Sequence, residues 1–360
     1  MAEFHSLTVS SVSRTTRDAV LVSFEVPSHL SDIYSFRAGQ YLTLRAEIGG
    51  ETLRRSYSIC SAPTDNLLRV AIKRIEDGVF STWANTQLAA GHSLDVMPPE
   101  GNFTEDFEPK NQRHYVAFAV GSGITPIFSL VKTALMIEPK SRVTLFFGNR
   151  SSSSVLFREE LQDLKNLFMQ RFSVFFVMSR ERQDIDLFNG RLDGKKVEQL
   201  LSQWLDPRDI DRVLVCGPQT MNNDVLTVLQ NQGLDKEQIK FELFVLTERL
   251  TPRPHGVGNR DESVKDECML TVILDGRHRT LLIDRDKQSV LDAALAQGLE
   301  LPYSCKSGVC ATCRCKVTSG EVDLDVNFAL EDYELARGFV LACQSYAMTD
   351  RVVIDFDQET

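Results

Sequence analysis

From the amino terminus to about residue 108, apolar residues recur at every second position in short runs over 6–12, 19–26, 41–46 and 67–73, parted by Gly, Pro, Asp and Asn. A period of two marks strands that bury one face, and several of them between turn residues predict an antiparallel β-barrel. The rhythm changes at Arg113. Unbroken apolar runs at 115–120, 143–147, 174–178 and 213–216 then alternate with helical stretches near 126–137, 155–168, 194–204 and 219–232. Strands that are apolar on both faces belong in a parallel sheet covered by helices on each side. Residues 247–266 are polar and interrupted by Pro and Gly, which predicts a linker. After it, strand-like runs at 269–274 and 280–283 flank Asp275-Gly276, a hairpin signal. A helix is expected from Ser289, with Asp292 completing its cap and Gly298 ending it. The chain reads as multidomain: a barrel over 1–108, an α/β parallel-sheet domain over 109–246, the linker, and an α+β domain over 267–360.

Length agrees, since 360 residues exceed what one hydrophobic core usually serves. The amino terminus has no basic segment followed by an apolar run, and no stretch approaches the roughly 20 apolar residues that cross a bilayer. A cytoplasmic chain without membrane association is expected. The net charge is −10, and residues 265–360 hold 10 Lys and Arg against 17 Asp and Glu, so the carboxyl-terminal part is the acidic one. That balance repels nucleic acid and suits either docking on a basic protein surface or plain solubility.

Cysteine usage carries the chemistry. Cys60, Cys216, Cys268 and Cys315 lie in mostly apolar, strand-like surroundings and read as reduced thiols. The other four, Cys305, Cys310, Cys313 and Cys343, make a C-x4-C-x2-C opening with a distant fourth thiol, the spacing by which plant-type ferredoxins hold a 2Fe-2S cluster. Zinc sites favour two C-x-x-C pairs and disulfide frameworks belong to short secreted chains, so neither fits. Hairpin, helix and cluster loop together resemble a β-grasp ferredoxin. The six histidines are scattered without Glu-x-x-His or Cys-x-His spacing, which places any oxygen-activating iron on a partner.

Two further segments point to nucleotides. The strand over 115–120 runs into Gly121-Ser122-Gly123-Ile124-Thr125-Pro126, a glycine turn opening a helix, where backbone N–H groups approach a pyrophosphate; Thr125 is expected to cap and Pro126 to start the helix. This is not the G-x-G-x-x-G of Rossmann dehydrogenases. Ser179-Arg180, after the run at 174–178, and Arg150 offer a hydroxyl and cations suited to a phosphomonoester, hence NADPH. In the barrel, Arg55-Ser56-Tyr57-Ser58 ends a strand, and Gly78-Val79-Phe80-Ser81 follows Lys73. Alone, Arg55 reads as a surface cation and Tyr57 as a core aromatic.

In this order the segments resemble the ferredoxin-NADP reductase family. The resemblance implies FAD, with Arg55 on its pyrophosphate, Tyr57 against the isoalloxazine, Ser58 near flavin N5, and Lys73, Gly78 and Ser81 as further contacts. It implies that Gly121, Gly123, Thr125 and Pro126 hold the dinucleotide, that Cys216-Gly217-Pro218 faces the nicotinamide, and that Arg150, Ser179 and Arg180 meet the 2′-phosphate. Ser58 and Cys216 are then the catalytic residues. The whole chain resembles the reductase subunits of phenylacetyl-CoA epoxidases in domain order and in local stretches such as Leu301-Pro302-Tyr303. That implies an iron–sulfur flavoprotein passing electrons from NADPH to FAD to 2Fe-2S, with a terminal oxygenase complex, the di-iron epoxidase of phenylacetate degradation, as its partner. Ketosteroid hydroxylase reductases share the domain order, so the reductase of a Rieske or steroid-type hydroxylase is the alternative within the class. A ferredoxin-like carrier without reductase activity of its own is the alternative outside it.

Overall fold

The computed structural model describes residues 4–243, 267–285 and 288–358; the expected linker at 247–266 lies outside the described residues. The described residues fall into two compact units, 4–243 and 267–358.

The amino-terminal strands are β1 (His5–Thr16), β2 (Ala19–Glu25), β3 (Tyr41–Ile48), β4 (Glu51–Ser58) and β5 (Leu68–Lys73), followed by helix α1 (Val79–Thr86) and β6 (Ser93–Val96). They build one six-stranded sheet in the order β4-β3-β6-β1-β2-β5, every pairing antiparallel. A bridge between Ile59 and Val70 joins its two outermost strands and closes the barrel. Alternation decides the faces: Leu7 and Val9 of β1 are fully buried while Thr8 between them is exposed, and the inward set includes Val20, Val22, Leu42, Leu44, Val70 and Ile72.

Next come β7 (His114–Val120), α2 (Ile124–Ile137), β8 (Arg142–Asn149), α3 (Arg158–Leu167), β9 (Phe172–Met178), α4 (Gly194–Trp204), β10 (Arg212–Gly217), α5 (Gln219–Asn231) and β11 (Ile239–Leu243). Their sheet is wholly parallel in the order β11-β10-β7-β8-β9. Both faces are covered, which is why these strands read as continuous apolar runs. Tyr115, Ala117 and Ala119 share one core with α2 and α3; Val116 and Phe118 share another with α4 and α5. The first of these cores also takes in Ala19, Leu21, Ala71 and Phe103, so barrel and parallel sheet are packed into one body. Ser129 Oγ on α2 donates to Ser61 O at 2.6 Å, and Lys132 pairs with Asp65 at 2.7 Å.

The second unit contains β12 (Glu267–Leu274), β13 (Arg277–Asp284), α6 (Val290–Ala296), β14 (Arg314–Ser319), β15 (Val322–Leu324), α7 (Asp332–Ala336), β16 (Phe339–Leu341), β17 (Ser345–Ala347) and β18 (Arg351–Asp355). Five strands form a mixed sheet ordered β13-β12-β18-β14-β16, with β15 and β17 as a separate pair. The β12–β13 turn places Asp275 at φ 51° and Gly276 at φ 67°, the two left-handed residues of a tight hairpin. Ser289 caps α6 by accepting from Asp292 N–H at 3.1 Å, and Gly298 at φ 76° follows its end. Among the described residues no helix is long and apolar enough to cross a membrane.

One carboxylate ties the last segment of the barrel to the parallel sheet. Glu105, its side chain 5% exposed, faces Arg113 at 3.1 Å, Lys240 at 3.2 Å and Arg212 at 3.5 Å. Removing it leaves three cations facing one another in a half-buried pocket. Glu105→Ala is expected to lower the stability of this unit by about 2 kcal/mol. A urea titration followed through Trp83 in α1 and Trp204 in α4 reads both parts at once; an unchanged midpoint contradicts the role.

Candidate functional site at the sheet switch point

In the parallel sheet, chain order runs outward from β7 through β8 to β9 on one side and turns to β10 and β11 on the other. The crevice at the carboxyl ends of β7 and β10 is therefore the place where an open α/β sheet takes ligands. Both expected nucleotide segments end there. Gly121–Gly123 forms a single turn between β7 and α2, with Gly121 at φ 57°. A Cβ on Gly123 would lie 2.2 Å from the Cys216 carbonyl oxygen, so only glycine lets this turn press against the end of β10. Thr125 does not cap α2 as expected: the helix starts at Ile124, its hydroxyl donates to Ser122 O at 3.0 Å, and Pro126 stands third in the helix. The first turn of α2 thus has no side-chain cap.

The barrel supplies a second wall. Tyr57 and Ser58 close β4, and Tyr57 packs on Phe80 of α1 with ring centroids 5.8 Å apart. Burial raises the Tyr57 phenol, with the Arg55 guanidinium working in the opposite direction. Arg55 itself is exposed. Gly78 precedes α1, where a Cβ would strike Ile75 at 2.4 Å and Ser81 Oγ at 2.5 Å. Here too no side chain caps the first turn. Ser81 spends its hydroxyl on the loop, accepting from Ile75 N–H and donating to Gly78 O at 3.1 Å. The Lys73 ammonium leans toward Asp18 at 3.6 Å.

Barrel and sheet meet at Ser58. Its side chain lies beside the carboxyl of Glu242, which stands across from Cys216 in the β10–β11 register. Burial pushes the Glu242 carboxyl up to about 8, and the nearby Ser58 hydroxyl only partly opposes this. Glu242 in turn helps burial to raise the Cys216 thiol, which is protonated and no nucleophile. The second carboxyl oxygen of Glu242, Oε2, is enclosed without a hydrogen-bond partner. Sequence reasoning missed Glu242. No signal in the sequence marked it, because in Ile239-Lys240-Phe241-Glu242-Leu243 the acid falls on the polar phase of an alternating strand.

The expected phosphate-binding residues also converge. Arg150 follows β8 and Ser179-Arg180 follow β9; Arg180 N–H donates to Arg150 O at 2.8 Å and Ser179 N–H to Asn149 O at 2.9 Å. Both arginines are exposed at this edge.

In the second unit the four cysteines stand two and two. Cys305 and Cys310 lie near enough for each to shift the other's thiol, as do Cys313 and Cys343. The loop curls through left-handed conformations at Lys306, Gly308 and Ala311, aiming Ser307 N–H at Cys305 Sγ (3.3 Å) and Cys305 N–H at Cys310 Sγ (3.5 Å). Gly308 has no substitute, because a Cβ there would lie 2.8 Å from Val326 O. Two thiol pairs with amides aimed at sulfur fit a binuclear cluster, each iron taking two thiolates.

Three family models match the chain: an oxidoreductase FAD-binding domain over residues 6–104, an oxidoreductase NAD-binding domain over 118–227, and a 2Fe-2S iron-sulfur cluster binding domain over 272–348. A subunit of the 1,2-phenylacetyl-CoA epoxidase of Escherichia coli (strain K12) is 44% identical over 357 residues, covering 99% of this chain and 99% of that one. This chain belongs to the same iron–sulfur flavoprotein reductase family. The ferredoxin reductase component of a 3-ketosteroid-9-alpha-monooxygenase from Rhodococcus rhodochrous is 33% identical, covering 97% and 96%. Among solved structures, phthalate dioxygenase reductase superposes with a TM-score of 0.59 over 98% of both chains at 22% identity, and shares the fold. The reductase is thus an oxidoreductase with FAD, NAD and 2Fe-2S domains, carried on an antiparallel barrel, a parallel sheet and a ferredoxin unit. The uncapped start of α1 behind Gly78, the orphaned Glu242 Oε2 and the paired thiols are features into which these groups fit.

Glu242 generates a prediction whose sign follows from linkage. A carboxyl with a higher pKa folded than unfolded keeps its proton on folding, so its contribution makes stability fall as the pH climbs from about 4.5 to about 8. Glu242→Gln removes that fall. Relative to wild type, the variant is expected to gain about 4 kcal/mol between pH 5 and pH 8.5 in urea titrations. A constant difference across that range contradicts the protonated assignment.

Proposed function

We propose that the reductase is the electron-supplying component of a multicomponent oxygenase, taking electrons from NADPH and delivering them singly to a di-iron epoxidase that acts on phenylacetyl-CoA in the cytoplasm. The observation that carries this reading is 44% identity over nearly the full length to a protein named as a component of a 1,2-phenylacetyl-CoA epoxidase. FAD, when bound, accepts electrons in pairs and releases them one at a time, which a 2Fe-2S cluster requires. The residues divide the remaining work. Arg55 and the first turn of α1 behind Gly78 and Ser81 hold the flavin pyrophosphate, with Lys73 at the edge of that pocket. Tyr57 supplies a planar wall for the ring. Ser58 orients the Glu242 carboxyl, which holds a proton at neutral pH, and Cys216 with Gly217 and Pro218 forms the floor beneath the nicotinamide. Gly121, Gly123, Thr125 and Pro126 cradle the dinucleotide phosphates at the start of α2, and Arg150, Ser179 and Arg180 take the 2′-phosphate that separates NADPH from NADH. Cys305, Cys310, Cys313 and Cys343 are the cluster ligands. The working modules are residues 1–108, 109–246 and 267–360, joined by 247–266.

A steroid-type hydroxylase is the second reading, supported by the 33% identical ketosteroid monooxygenase component. Purified oxygenases decide between them: the reductase is expected to support turnover of the phenylacetyl-CoA epoxidase and not of the ketosteroid hydroxylase. Cys310→Ser tests the relay itself. It is expected to abolish cytochrome c reduction while leaving NADPH-dependent ferricyanide reduction within about twofold, since the ligand lies in a separate unit from the flavin residues. Equal loss of both activities contradicts the proposal.

A further inference from the structure

We propose that Ser152 acts as a coenzyme-selectivity residue through Glu181, by holding away from the ribose site the carboxylate that would otherwise favour NADH. The inference rests on the NADPH reading above and concerns the same corner of the sheet.

Glu181 is the first carboxylate after β9, in the segment Met178-Ser179-Arg180-Glu181. An acid at the end of such a strand is the group that accepts the ribose 2′-hydroxyl in NAD-selective sites, and its charge repels a 2′-phosphate. In this chain the acid is engaged elsewhere. Its Oε2 accepts from Ser152 N–H at 2.8 Å and from Ser152 Oγ at 2.9 Å, while Oε1 accepts from Gln183 Nε2 at 3.5 Å. The Ser152 donors, with a smaller contribution from Arg158, hold the carboxyl below its ordinary range, so it stays ionised and anchored. The backbone makes the anchor stiff. The β8–β9 ladder continues past both strands through Asn149 O and Arg150 O, which fixes the loop carrying Ser152 against the one carrying Glu181. Ser151, extended at φ −152° and ψ 167°, and the turn Ser152–Ser154 are braced by Ser154 Oγ accepting from Ser151 N–H at 3.1 Å. With Glu181 turned onto Ser152, the neighbouring cations Arg150 and Arg180 face the nucleotide without a competing carboxylate.

Ser152→Pro removes both donors at little structural cost. Ser151 already has the extended conformation that a residue before proline needs, and proline suits the first position of a turn. The readout is the ratio of kcat/KM for NADPH to that for NADH with ferricyanide as acceptor, together with binding of 2′,5′-ADP and of 5′-AMP to the holoprotein by calorimetry. Ser152→Pro is expected to lower the ratio about tenfold through the KM values with kcat unchanged, and to weaken 2′,5′-ADP but not 5′-AMP. Ser152→Ala, which loses only the hydroxyl, is expected to lower the ratio about threefold, and serves if the proline variant does not fold. Adding Glu181→Gln to either variant is expected to restore the wild-type ratio, which a direct Ser152–phosphate contact would not allow. An unchanged ratio in both single variants, or no restoration in the double variants, overturns the inference. Arg180→Ala separates this from the reading beneath it. Wild-type preference for NADPH that Arg180→Ala abolishes, with Ser152 variants inert, overturns only the Ser152–Glu181 link. A wild type without NADPH preference, in which Arg180→Ala changes both coenzymes alike, overturns both.

Discussion

The barrel and the parallel sheet meet where Ser58, at the end of a barrel strand, lies beside the carboxyl of Glu242, at the end of a sheet strand. Neither half has a complete site without the other. The barrel contributes Tyr57 and the uncapped start of α1, the parallel sheet contributes Cys216 and the glycine turn after β7, and the contact exists only because the two pack through a shared core and the Glu105 ion cluster. The steric demand is severe at Gly123, where any side chain would collide with the Cys216 carbonyl and push the turn off β10.

The ferredoxin unit solves a different problem. Its loop holds Lys306 and Ala311 in left-handed conformations that cost non-glycine residues about 1–2 kcal/mol each. In return, amides point at sulfur and four thiols fall into two pairs. Amides so aimed would offset the negative charge that four thiolates bring to a binuclear iron centre beside a core of Leu301, Leu341, Val352 and Ile354. Two-electron and one-electron chemistry are thus served by separately folded surroundings within one chain.

Much of this was legible in residue patterns, for physical reasons that can be named. Helix α4 occupies the expected 194–204 because its apolar stripe and the Asp193 cap leave little choice, and the Asp275-Gly276 turn and Ser289 cap are local features decided by their own residues. The cysteine spacing spoke for itself. What stayed hidden depends on tertiary contact. Strand β11 has only five residues at the edge of the sheet, so its pattern is too short to weigh, and Glu242 becomes a site residue only when Ser58 is brought to it. Helix α1 is one short helix behind a glycine, with no cap to announce it. Glu181 reads as a solvated charge until Ser152, 29 residues away, is seen to hold it. The Thr125 hydroxyl, expected on the start of α2, turns back to Ser122 because the helix begins one residue before it.

Electrons entering from a reduced nicotinamide should leave through iron on the same chain. Anaerobic titration of the purified holoprotein with NADPH, followed by visible absorbance and by electron paramagnetic resonance on the same samples, tests this most directly. Bleaching of the flavin is expected to be accompanied by the paramagnetic signal of a reduced 2Fe-2S cluster. Bleached flavin with iron that remains silent until a chemical reductant is added would contradict the relay.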